Sequence, residues 1–139
     1  MTLTESRAER LRAPALTIGG LAAATLALHL RDPHDQGAWG FCPLYKVTGI
    51  YCPGCGGLRA VNDLTDGHVG QALSSNLLVT VGIPVAVVLL ALWFVSRWRD
   101  RPPPRLPDEW SRRAWTGLAA GALLFTLLRN TPAGSWLAP

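Results

Sequence analysis

Long apolar runs alternate with short polar connections along this chain, and that block pattern predicts its elements. Residues 13–30 carry no formal charge, and only His29 among them can titrate. A helix of that length spans about 27 Å, near the hydrocarbon thickness of a bilayer. Residues 77–95 form a second uncharged run, with Pro84 inside it predicting a kink. A third run, 114–129, is shorter and ends on Arg129, whose stem can snorkel to extend its reach. Between the first two, Leu58, Val61 and Leu64 recur at helical spacing, with Arg59, Asn62 and Asp63 off that face. This predicts a short helix opening after Gly56-Gly57 and lying along the membrane surface. Thr65-Asp66-Gly67 predicts a turn, with Asp66 capping a helix that begins near His68 and runs into the second apolar block.

The expected fold is an all-α integral membrane protein with two to three transmembrane helices. Residues 1–12 form a polar tail, 13–30 the first span, and 31–76 a cysteine-containing connection with the interfacial helix. The second span takes 77–95, a basic, proline-rich and extended connection takes 96–113, the third span takes 114–129, and 130–139 is a tail. The first run exceeds a secretory h-region and no Ala-x-Ala site follows it, so it reads as a span. Gly19, Gly20, Ala23 and Ala24, and again Gly117 and Gly121, offer small-residue faces for helix contact.

Composition agrees. Apolar residues make up 49% and charged ones 16%, against about 25% charged in soluble domains, and mean hydropathy is +0.21. The net charge of +4 does not point to nucleic acid, because the arginines flank apolar runs and do not interleave with aromatics. Their distribution gives sidedness. Arg7, Arg10 and Arg12 precede the first run, and Arg97, Arg99, Arg101, Arg105, Arg112 and Arg113 surround the second connection. The cysteine connection has Arg31, Lys46 and Arg59 against Asp32, Asp35, Asp63 and Asp66. Lys/Arg excess marks the cytoplasmic face, so the N-terminus is expected inside and the cysteines outside.

All three cysteines, Cys42, Cys52 and Cys55, fall in that connection. Cys52-Pro53-Gly54-Cys55-Gly56 has the form of half a zinc ribbon, in which a tight turn aims two sulfurs at one ion. Cys42 would be a third ligand, with His68, His34 or an external group as the fourth. A second reading is thiol–disulfide exchange by Cys52 and Cys55, with Cys52 activated at a helix N-terminus and Cys42 resolving. A third is structural, with the cysteines tying the loop by a disulfide or sitting buried as small apolar groups. Three polar residues are candidate contacts to this loop: Arg59, which can pair with Asp63 or lipid phosphate, Asn76 and Arg129.

With Cys42-Pro43, Thr48-Gly49, Cys52-Pro53-Gly54-Cys55-Gly56, Arg59-Ala60, Gly67, Ala72-Leu73 and Asn76-Leu77, the chain resembles the domain of unknown function 2752 family. The likeness runs from about Phe41 to Val95, and Arg129-Asn130 looks similar too. That family often has proline after the asparagine, where this chain has Leu77. The resemblance implies residence in a bacterial plasma membrane and no particular activity. The expected role is a non-enzymatic accessory subunit in the bilayer, with a membrane-protein partner or self-association. The alternatives are a zinc-binding membrane protein and a membrane thiol oxidoreductase.

Overall fold

The computed structural model describes residues 6–138 apart from 36, 38 and 103–106. The start of the expected tail and most of the expected extended proline stretch lie outside the described residues. Among the described residues, six α-helices follow in order, α1 Arg7–Leu30, α2 Pro43–Thr48, α3 Gly57–Thr65, α4 Val69–Ser75, α5 Leu77–Trp98 and α6 Asp108–Arg129, with a 3-10 helix at Pro132–Leu137. Among the described residues there is no strand.

Helix α1 starts earlier than the apolar pattern indicates. Ser6 accepts from the Glu9 amide at 3.3 Å while the Glu9 carboxylate accepts from the Ser6 amide at 2.7 Å, a reciprocal cap. The arginines of the expected tail therefore form the helix's first turns. Helices α1 and α5 lie antiparallel. Arg10 reaches Asp100 at 3.3 Å and Arg7 lies over the Trp98 ring at one end. At the other end α1 meets α3, where the Asn62 amide donates to the Leu28 carbonyl at 2.9 Å. This bond satisfies one of the carbonyls that a helix C-terminus leaves without a partner.

Both α1 and α5 are long and apolar enough to cross a membrane, and almost none of their apolar surface is buried. Leu16, Leu21 and Leu26 of α1, and Val81, Val85, Val88 and Leu89 of α5, all face outward. A soluble core helix would cover these side chains. The short helix α3 shows the opposite of a soluble amphipathic pattern: Leu58 is exposed while Ala60, Asn62 and Asp63 are buried. Asn62 and Asp63, expected off the apolar face, pack inward, while Arg59 is half-buried.

Two boundaries differ from the sequence reading. Asp66 ends α3 as its C-cap, lies 3.1 Å from His29 Nδ1 and caps nothing downstream; the residue ahead of α4 is His68. The helix expected to run from His68 into the second apolar block is broken at Asn76, whose backbone is extended (φ −162°, ψ 102°). The side chain of Asn76 accepts the Val79 amide at 3.0 Å and so starts α5. Leu77 occupies the first helical position, where proline is also favoured. Helix α5 then runs through Pro84 to Trp98 without interruption.

Helix α6 carries Asp108, Glu109, Arg112 and Arg113 in its first half, and it does not meet the length-and-apolarity test that α1 and α5 pass. Its C-terminal end packs against the 3-10 helix. Gly134 makes that contact possible, since a Cβ there would overlap the Leu128 carbonyl.

Candidate metal centre

The turn-forming residues of the cysteine segment bring its three sulfurs together. Cys42 stands at the N-cap of α2, with Pro43 opening the helix. Gly49 closes that helix at φ 71°, a left-handed conformation that glycine adopts without penalty, and the chain doubles back to Cys52. Pro53 and Gly54 then make a tight turn in which the Cys55 amide donates to the Cys52 carbonyl at 3.1 Å. Gly56, at φ 75°, redirects the chain into α3.

The Cys52 and Cys55 sulfurs are 3.3 Å apart, Cys42 and Cys52 are 3.7 Å apart, and all three lie within 4.8 Å of one another. Two sulfurs bound tetrahedrally to zinc at 2.3 Å are separated by about 3.8 Å, so this spacing fits a single ion. All three cysteines are free, and none forms a disulfide.

Their protonation is unequal. The Tyr45 amide in the first turn of α2, and then the Cys55 thiol, stabilise the Cys42 thiolate and lower its pKa to about 7. Burial, followed by hydrogen bonding from Cys42 and Cys52, pushes the Cys55 thiol up to about 12. The residue at a helix N-terminus is therefore Cys42. Cys52, expected in that position, lies ahead of the turn that precedes α3.

Polar side chains from distant elements hold this loop. Asn76, fully buried, donates to the carbonyls of Pro53 and Cys55 at 2.9 Å each. Arg129, only 2% exposed, sends Nη1 to the carbonyls of Cys52 at 3.0 Å and Cys55 at 3.1 Å. Its guanidinium carbon lies 4.8 Å from the Phe125 ring centre and 5.6 Å from that of Tyr51. Its Nε and Nη2 are buried without a hydrogen-bond partner. Next to it, Asn130 clasps the Tyr51 backbone, accepting from its N–H and donating to its C=O, at 2.9 Å each.

Other sequence candidates lie elsewhere. His68 is exposed ahead of α4 and does not join the sulfurs. His34 bridges Asp32 at 2.8 Å and Asp63 at 3.3 Å. Arg59 donates to the Pro33 carbonyl at 3.4 Å and not to Asp63, whose carboxylate also accepts from Ser75 at 2.7 Å. The sequence reading missed Tyr45 and Tyr51, stacked with ring centres 4.3 Å apart beside the thiols. Their only signal was position: each lies within a few residues of a cysteine.

A family model described as a protein of unknown function (DUF2752) matches residues 42–90. The resemblance therefore holds across the three cysteines, Arg59 and Asn76, and stops short of Arg129. No curated protein and no solved structure matches the chain.

Proposed function

We propose that this chain is a multi-pass membrane protein that binds one zinc-like ion through Cys42, Cys52 and Cys55. The observation that carries the reading is the convergence of three free sulfurs within 4.8 Å on a loop held from α5 and α6. Arg129 supports it on grounds of charge. A buried guanidinium with two unpartnered nitrogens needs a negative neighbour. Three thiolates around a divalent ion supply one net negative charge beside it. Bound zinc would supply Lewis acidity and a fixed cross-link among three turns of backbone.

Protein purified in detergent under reducing conditions should contain about one zinc per chain by elemental analysis. Each of Cys42→Ser, Cys52→Ser and Cys55→Ser should reduce that content several-fold. A metal-free protein with three titratable thiols would end this reading.

In this proposal α1 and α5 cross the bilayer, α6 completes a third crossing, and the cysteine end faces away from the cytoplasm of a bacterial cell. Supporting this are Arg7, Arg10, Arg97, Arg99 and Arg101, gathered at the end of the α1–α5 pair remote from the cysteines. After chelation, a maleimide that cannot cross membranes should label Cys42 on intact cells. The pH profile should have its midpoint near pH 7, because the low thiol pKa leaves thiolate available there. Labelling only after lysis would place the cysteines inside.

Thiol–disulfide exchange is a second reading, favoured by the acidity of Cys42 and its 3.7 Å approach to Cys52. In that chemistry the Cys42 thiolate attacks a partner disulfide and releases one partner thiolate. Cys52 then displaces the other, leaving a Cys42–Cys52 disulfide and a reduced partner. Failure to trap a mixed disulfide with Cys52→Ser would exclude it.

A further inference from the structure

The three sulfurs are not enclosed evenly. Arg129, Asn76 and the carbonyls they bind back the loop on its inner side. Toward the exterior lies a groove of about 740 Å³, lined by Cys42 and Cys55 with Phe41, Tyr45, Tyr51 and Arg59, and Cys52 is not among its lining residues. A tetrahedral ion held by three thiolates has one position left, and structural zinc sites fill that position with a fourth protein ligand. Among the described residues, no fourth cysteine, histidine, aspartate or glutamate joins the cluster. His34 is held between Asp32 and Asp63, and His29 between Thr65 and Asp66. Asp35 lines the same groove without reaching the sulfurs.

Resting on the metal reading above, we infer that the ion's fourth coordination position opens into this groove and takes an exogenous neutral donor, water or an imidazole-type nitrogen. Charge selects the neutral donor. Three thiolates and a divalent ion sum to one negative charge, which Arg129 offsets from the inner side. Among the groove's lining residues, Arg59 and Asp35 carry one charge of each sign. An anionic fourth ligand would raise the net negative charge beyond what the single Arg129 guanidinium offsets. Phe41, Tyr45 and Tyr51 give the groove flat walls suited to an aromatic heterocycle. Open three-ligand sites of this kind exchange ligands, whereas closed four-ligand sites serve folding.

Cobalt reports the difference. The full-length protein in detergent, loaded with Co²⁺, is titrated with imidazole and separately with azide, and the visible d–d bands are followed. The same titrations are run on His34→Ala, His68→Ala and Asp35→Asn. Saturable band shifts with imidazole, at lower concentration than with azide and alike in all four proteins, are expected. Bands that ignore imidazole, or that respond only after one of those residues is removed, would show a closed site and overturn the inference. A tighter response to azide would overturn the neutral donor. Absence of any thiolate-to-cobalt charge-transfer band would instead remove the metal reading itself.

Discussion

Replacing Arg129 with methionine is expected to cost about 3 kcal/mol of stability and to weaken zinc binding by roughly 10- to 100-fold. Methionine fills much of the space between Phe125 and Tyr51 but leaves the carbonyls of Cys52 and Cys55 without their charged donor. Hydrogen bonds from a charged group contribute about 1.5–3 kcal/mol each, while the Cys55 amide and Asn76 still reach the two carbonyls and limit the loss. The loss should appear as a fall in Tm of roughly 10 °C in detergent. Zinc competition against a chromophoric chelator measures the second effect. Arg129→Lys should restore little, because a compact, strongly hydrated ammonium lacks the flat guanidinium face that lies against the Phe125 and Tyr51 rings. A buried charge can also be a liability, and apolar replacement then stabilises. If Arg129→Met melted at or above the wild-type temperature with unchanged zinc affinity, the guanidinium would not be what positions the thiols.

The second large effect is expected at Asn76. Its side chain makes three bonds that no other residue type reproduces together: Nδ2 to Pro53 and Cys55, and Oδ1 from Val79. Asn76→Ala removes the cap of α5, worth about 1 kcal/mol, and takes one donor from each of two carbonyls, of which Cys55 keeps Arg129, at about 1 kcal/mol each. A total loss of about 3 kcal/mol follows. Asn76→Asp distinguishes the two roles. It keeps an acceptor for the Val79 amide but turns a carboxylate oxygen toward two carbonyls, so it should be no more stable than the alanine variant. Asn76→Ser keeps the cap alone and should fall between wild type and alanine. Thermal melts of the three variants test this order. Equal stability of the aspartate variant and wild type would mean that the cap, and not the hold on the cysteine loop, is what Asn76 contributes.

These two residues also separate what was legible in the chain from what was not. The long helices were legible because segments long and apolar enough to cross a membrane are apolar on all sides and need no partner to be recognised. The turns at Gly49 and Gly56, and the closeness of Cys52 to Cys55, follow from local chemistry over a few residues. The partners of α3's polar residues were not legible, because spacing placed Asn62 and Asp63 off the apolar face without showing what they meet. In the fold, Asn62 and Asp63 find their partners inside the protein, at Leu28 and at Ser75 and His34.

By itself, then, the sequence determined an all-helical chain with two helices fit to cross a membrane and a cysteine turn between them, since each depends on composition or short-range geometry. Tertiary structure alone decided that Cys42 joins Cys52 and Cys55, that His68 stays away, and that α4 breaks from α5 at Asn76. It also decided that Arg129, 74 residues beyond Cys55, closes the inner side of the site. Hydrogen bonds between groups so distant along the chain leave no periodicity to read. They form because a buried carbonyl must find a donor, wherever the fold can supply one.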